Sequence, residues 1–365
     1  MPDGFTDLIA SAPNTYEGNK GGNVFILFGG SAGLRLDNER KLSGGAAYTD
    51  SLGQSLAVMV GNPTLIVAGA AGRTVSGKKR AGALVVWPVD AKGVPGSPTV
   101  ISENTSGVPG LVESGDGFGS SLAANGSTLV VGSPNEDVGR VRDAGTITVL
   151  ERTGRVSFKG VTVSQDSTGV PGRAEQWDTF GAAVSIDRGW IVASATGEGV
   201  GSVDGAGAVQ PFTYRAGSLK PVASPLIHQN VAGVPGGNEH YDKFGVSVRL
   251  LRWGAGMSVA VGTPFEVLEG KIQAGLITVV PLGKGSTCPA RAYDGADLGA
   301  KITEPDMVGG GLGLIRDPQK THDDLLAGAG RRFTRIDPAR GTRLARYSLL
   351  RDMNYWTTGF STPAA

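Results

Sequence analysis

The chain has 365 residues, with 34 Lys plus Arg against 33 Asp plus Glu and a formal net charge of +1, a balance that gives no reason to expect a nucleic-acid partner. Its 59 glycines and 20 prolines would suggest disorder if scattered, but they recur at fixed places between short apolar runs and point to tight turns in an all-β protein. The single cysteine, Cys288, excludes an intrachain disulfide, and no apolar run reaches the roughly 18 residues that span a bilayer.

The chain opens in mid-repeat. Asp3-Gly4-Phe5-Thr6-Asp7-Leu8 reads as the end of a metal loop followed by a strand, and the first apolar run ends at Ile9-Ala10-Ser11-Ala12-Pro13. From there the motif Asp-x-Φ-Gly, with Φ a large apolar residue, recurs at Asp50-Ser51-Leu52-Gly53, Asp116-Gly117-Phe118-Gly119, Asp178-Thr179-Phe180-Gly181 and Asp242-Lys243-Phe244-Gly245. A degenerate copy is expected at Leu298-Gly299 and a weaker one at Thr358-Gly359-Phe360, giving glycine spacings of 66, 62, 64, 54 and 60 residues. A fixed period of this size is the mark of a repeat architecture with one sheet per repeat.

Each repeat follows one script. After the Φ-Gly strand comes an apolar run that ends in small residues, such as Val67-Ala68-Gly69-Ala70 or Val131-Gly132-Ser133-Pro134. A polar loop follows, then Ala-Gly (Ala81-Gly82, Ala144-Gly145, Ala206-Gly207, Ala274-Gly275) opens a third strand. A more polar fourth strand comes next, such as Val161-Thr162-Val163-Ser164. In three repeats Gly-Val-Pro-Gly then leads back, where Pro fixes φ and Gly supplies positive φ. Small residues suit strands crowded near an axis, and the Φ side chain suits a plug between adjacent sheets.

Φ-Gly followed by turns like Gly-Ala-Pro resembles the FG-GAP repeats of the integrin α-subunit head. With Gly-Val-Pro-Gly added, the pattern is similar to FG-GAP proteins common in actinobacteria. The resemblance covers nearly the whole chain and implies one all-β domain, a β-propeller of four-stranded blades. Six blades are counted, with seven as the alternative if 285–350 hides another. The units run over 1–48 plus 352–365, 49–114, 115–176, 177–240, 241–293 and 294–351, and Tyr355–Ser361 is expected to give the first blade its missing strand.

The family pattern also implies calcium on a carboxylate-rich loop between first and second strands. The matching stretches here are too poor in carboxylates. Only Asp3 and Asp7, and Asp323 and Asp324 beside His322, keep oxygens for a metal. Ordinary capped turns are the preferred reading, no cofactor is required, and a structural calcium is the one that the resemblance leaves open.

The resemblance places ligands on the face made by the residues before Φ-Gly and by the loops between second and third strands. Ligand contacts are therefore expected from Trp177, His240, Tyr241, Glu239, Glu113 and Asp137, since aromatic rings among carboxylates suit a sugar or an aromatic small molecule. The recurring Asp reads first as a turn cap. Two function classes follow: a binding or adhesion module for a carbohydrate, protein or small molecule, and, alternatively, a propeller enzyme of cyclase, lyase or hydrolase type. In the enzyme reading the acid–base candidates are Asp242, His240, Tyr241, Asp178 and Glu175. A monomer is expected. Two compartments stay open: extracellular, if a secretion signal has been removed, and cytoplasmic, if Met1 is native.

Overall fold

A computed structural model describes residues 4–17, 20–45, 50–283, 289–299, 307–317, 319–329, 332–338 and 340–348. These residues hold strands and turns, without a helix long and apolar enough to cross a membrane. The strands form six antiparallel sheets in chain order, and the protein is a six-bladed β-propeller. The first sheet is β1 (Leu8–Glu17), β2 (Lys20–Phe28) and β3 (Arg35–Leu42). The second is β4 (Leu56–Met59), β5 (Thr64–Ala70), β6 (Ala83–Val89) and β7 (Thr99–Ile101). The third is β8 (Ser121–Asn125), β9 (Thr128–Ser133), β10 (Thr146–Arg152) and β11 (Phe158–Val163). The fourth is β12 (Phe180–Asp187), β13 (Trp190–Ala195), β14 (Ala208–Thr213) and β15 (Val222–Ala223). The fifth is β16 (Ser247–Trp253), β17 (Gly256–Thr263), β18 (Leu276–Leu282) and β19 (Arg291–Tyr293). The sixth is β20 (Leu312–Ile315), β21 (Asp324–Ala329), β22 (Arg332–Asp337) and β23 (Thr342–Ser348). The strand expected from Tyr355–Ser361 lies outside the described residues, as do Asp3, Cys288 and Thr358-Gly359-Phe360.

The described residues divide into two compact units, one of 4–181 with 213–222, the other of 182–212 with 223–348. In the first, Leu84, Phe118, Leu122, Leu129, Val131 and Phe158 form one apolar cluster, and Val24, Ile26, Leu52, Val85 and Trp87 form another. In the second, Val209, Phe244, Leu250 and Val259 pack together, as do Leu251, Ile277, Tyr293, Val308 and Leu325.

The Φ side chains are the plugs that their spacing suggests. Phe118 is fully buried, and its N–H donates to the Ala81 carbonyl of the preceding sheet at 2.9 Å. Phe180 repeats the bond to Ala144 and Phe244 to Ala206, each at 2.8 Å. This contact explains Ala-Gly: a Cβ at Gly145 or Gly207 would lie 2.5 Å from the backbone nitrogen of Phe180 or Phe244. Only glycine lets the two chains approach so closely.

The sixth repeat starts later than its sequence suggested. Val308, not Leu298, donates to Ala274 at 3.1 Å and pairs in parallel with Gly275. Leu298-Gly299 instead belongs to the turn after β19, where Gly299 N–H reaches the Ala296 carbonyl at 2.8 Å and Leu298 is buried in the core. The true motif is Asp306-Met307-Val308-Gly309, 64 residues after Gly245. The alternative of seven blades falls with it, because the described part of 285–350 holds only β19 of the fifth sheet and the four strands of the sixth.

Two of the loops that the calcium pattern would need are tight hairpins. Asn125 pairs with Thr128 and Trp253 with Gly256, leaving two residues at each turn and no room for a cage of carboxylates.

Candidate functional site

The recurring Asp is a clasp. Its Oδ2 accepts the backbone N–H three residues earlier: Glu113 to Asp116 at 2.7 Å, Glu175 to Asp178 at 2.6 Å and Glu239 to Asp242 at 2.7 Å. The residue just before each Asp sits in the left-handed region, at φ 110° for Gly115, 74° for Trp177 and 65° for Tyr241. Its N–H is tied to the loop of the preceding sheet, Gly115 to Lys79, Trp177 to Arg142 and Tyr241 to Asp204. One backbone frame is thus built three times, carrying Ser114-Gly115, Gln176-Trp177 and His240-Tyr241 in turn. A bulky residue in the left-handed region is strained, and such strain concentrates at functional sites.

Two more positions recur from repeat to repeat. One follows the fourth strand and holds Glu103, Gln165 and Gln229; the other follows the second strand and holds Glu136, Glu198 and Glu266. The second position is fixed by register, since its carbonyl accepts Gly145, Gly207 or Gly275 N–H. Arg73 takes this place in the preceding repeat, where its carbonyl accepts Gly82 N–H and its guanidinium lies 3.5 Å from Asp50. The last glycine of Gly-Val-Pro-Gly makes room for the first position. A Cβ at Gly236 would lie 2.5 Å from Gln229 Nε2, and one at Gly110 would strike the Glu103 carboxylate.

In the second unit, the junction around Asp242 joins four expected residues, Glu239, His240, Tyr241 and Asp242. Gln229 Nε2 donates to Glu266 Oε2 at 2.6 Å beneath them. Burial pushes Asp242 up to about 6, against the opposing pull of the Glu239 N–H. Burial likewise pushes Glu266 up to about 7, with the Gln229 bond opposing and Asp242 and Glu239 adding. Above this pair Tyr241 is 63 % exposed, and its ring lies against Gly205. His240 Nδ1 accepts the Asp204 N–H at 3.2 Å, so the neutral imidazole carries its proton on Nε2.

The first unit holds Asp178 under the exposed Trp177, with burial pushing Asp178 up to about 6 and Glu175 beside it. It also holds the junction of Glu103, Asp116 and Glu136, whose carboxylate oxygens lie within 4.8 Å of one another. Burial raises Glu103 to about 8 and Glu136 to about 9, and the neighbouring charges that add to it come from Asp116 and Glu113, with Asp137 also acting on Glu136. Burial raises Asp116 to about 6, with the Glu113 N–H bond opposing. Asp137 otherwise accepts the Asp143 N–H at 2.9 Å. Glu103 and Glu136 escaped the sequence-based site set, yet Glu103 had a signal: it stands where the two sister repeats carry Gln.

The remaining metal candidates are spoken for. Asp7 Oδ1 accepts the Gly29 N–H at 2.9 Å. Asp323 is held by Arg252 at 2.7 Å, and Asp324 by Lys320 at 2.8 Å and by Arg335. His322 Nε2 lies 3.0 Å from Asp337.

No protein-family model matches the chain, and no curated protein matches it in sequence. Among solved structures it is similar to the periplasmic gluconolactonase of Pseudomonas aeruginosa, at 14% identity and a TM-score of 0.50 over 94% of this chain and 83% of that one. A putative 6-phosphogluconolactonase from Bacteroides uniformis aligns at 13% identity and a TM-score of 0.49 over 94% and 83% of the two chains. A putative 6-phosphogluconolactonase from Bacteroides fragilis aligns at 12% identity and a TM-score of 0.43 over 94% and 95%. At such identities the likeness speaks for the propeller fold alone.

Proposed function

We propose that the protein is a propeller enzyme of hydrolase type, acting on a neutral sugar-derived lactone or ester at the Asp242 junction. One observation carries this reading: an exposed imidazole and an exposed Tyr ring are held on one loop clasped by Asp242, a buried carboxyl of raised pKa that acts on a second, Glu266. Perturbed titrating groups cluster at sites of chemistry. Tyr241 offers an apolar face for a sugar ring. The Nε2 proton of His240 is directed by its bond to Asp204 and supplies a hydrogen bond to the carbonyl oxygen as negative charge develops there. Glu239 accepts a proton from the attacking water, the new C–O bond forms, the ring C–O bond breaks, and the proton passes to the leaving oxygen. Asp242 is a positioning residue that fixes the loop through the Glu239 N–H.

The gluconolactonase among the structural neighbours supplies the first substrate to try. Initial rates of proton release from glucono-δ-lactone and a panel of neutral lactones are compared with the uncatalysed background. The expected result is turnover that falls about 100-fold or more in His240→Ala. Tyr241→Ala is expected to raise KM more than it lowers kcat. Absence of turnover, or turnover indifferent to both changes, overturns the enzyme reading.

A second reading, a carbohydrate-binding module, is favoured by Trp177, a large aromatic 55 % exposed in left-handed backbone. Saturation-transfer NMR with neutral sugars, showing binding without turnover and its loss in Trp177→Ala, selects it. Kinship with the FG-GAP proteins is likewise our proposal, supported by the Φ-Gly plugs.

A further inference from the structure

The three junctions differ at one buried position in a way that the fold does not require. Gln165 and Gln229 offer amide donors, and Gln229 uses its amide to bind Glu266. The equivalent Glu103, once ionised, has no donor to offer. It is 5 % exposed, and its Oε2 has no hydrogen-bond partner. Glu136 Oε2 is also buried without a partner. Asp116, 3 % exposed, completes the group. A buried acceptor left unpaired is costly, and three carboxylates together compound the cost.

Three other buried acidic groups meet this cost with cations of the protein. Asp50 has Arg73; Asp323 has Arg252; Asp324 has Lys320 and Arg335. The neighbours that act electrostatically on Glu103 and Glu136 are carboxylates: Asp116, Glu113 and Asp137. A Cβ at Gly115 would meet nothing within 4 Å, and Glu136 is only half-buried.

We propose that Glu103, Asp116 and Glu136 form a binding site for a hard divalent cation of calcium size. Carboxylate oxygens suit a hard cation. One oxygen from each lies within 4.8 Å of the others, so all three can reach a single ion at Ca–O bonds of about 2.3–2.6 Å, and calcium accepts an irregular ligand set that octahedral magnesium does not. The half-buried face of Glu136 leaves room for water to complete the coordination. This site lies in the first unit and shares no residue with the Asp242 junction, so either proposal can fail without the other.

The test is isothermal titration of chelator-treated protein with CaCl2, and separately with MgCl2, beside thermal melts in the same buffers. Wild type is expected to bind one calcium per chain and to melt higher with calcium than with chelator. Glu103→Gln copies the residue that two sister junctions already hold, so it is expected to fold. In it, calcium affinity falls at least about tenfold with the loss of one charged ligand, and the calcium-dependent rise in Tm disappears. Glu136→Gln is expected to do the same. Three results overturn the proposal: no heat and no Tm shift with calcium, calcium binding undiminished in both variants, or magnesium bound as tightly as calcium.

Discussion

Gln229 Nε2 lies 2.6 Å from Glu266 Oε2, whereas at the equivalent place Glu103 faces Glu136 with an unpaired oxygen on each side. One amide-for-carboxylate difference therefore separates a junction bridged by a side-chain hydrogen bond from one that lacks it. Gln229→Glu converts the first into the second. The expected result in chelator at pH 8 is a Tm lower by roughly 2–5 °C, the effect of leaving a buried acceptor unpaired. Millimolar CaCl2 is expected to restore most of it. A melt unchanged by the substitution would show that the amide contributes nothing.

Glu266 also sets a pH dependence. Its pKa is raised from an ordinary 4.5 to about 7, chiefly by burial, so the folded state favours the neutral form. The stabilisation is full below the unfolded pKa and is lost as pH rises through about 7. Melts of wild type are expected to decline between pH 5 and 8, and Glu266→Gln to flatten that decline. An equal slope in both proteins would refute this assignment.

Glu151 acts in the opposite sense. Burial alone would raise its pKa, but bonds from Gly217 N–H, Thr128, Tyr214 and Ser127 outweigh it and hold the group low. Tyr214 Oη donates at 2.5 Å and Gly217 N–H at 2.9 Å, so the carboxylate ties segment 213–222 to β10. Glu151→Ala is expected to cost about 2–4 kcal/mol, since a charged acceptor with several donors is removed. Trypsin is then expected to cut after Arg215 much faster than in wild type. This stabilisation is present above the unfolded pKa and lost as pH falls through the lowered one.

The plugs should rank by size. Phe118→Ala leaves a cavity in a fully buried cluster and is expected to cost about 3–5 kcal/mol. Val308→Ala removes less and is expected to cost about 1–2 kcal/mol. Urea midpoints of the two variants test the order.

The architecture was legible because repetition amplifies weak signals. Asp-x-Φ-Gly, Ala-Gly and Gly-Val-Pro-Gly each mark one backbone contact, and each recurs three or four times, which made the repeat readable. The sixth copy was misplaced because Val308 is a smaller plug than Phe, while Leu298-Gly299, ten residues earlier, looks more like the motif. His240 and Tyr241 were found as departures from the repeat, and Glu239 and Asp242 as members of it. Glu103 was not, because a glutamate in a polar loop after β7 reads as a solvated side chain. Its burial comes from the chain folding back at Gly110, which no local pattern reports.

The Asp clasp separates two jobs that most loops must do together. It holds the backbone by bonds from main-chain groups, so the same frame accepts different side chains in the two residues in front of it. Ser-Gly, Gln-Trp and His-Tyr already occupy that slot in one chain. The slot is therefore an interchangeable cartridge: a new pair of side chains can be loaded at Ser114-Gly115 without redesigning the sheet behind it, and a specificity library on this scaffold would begin there.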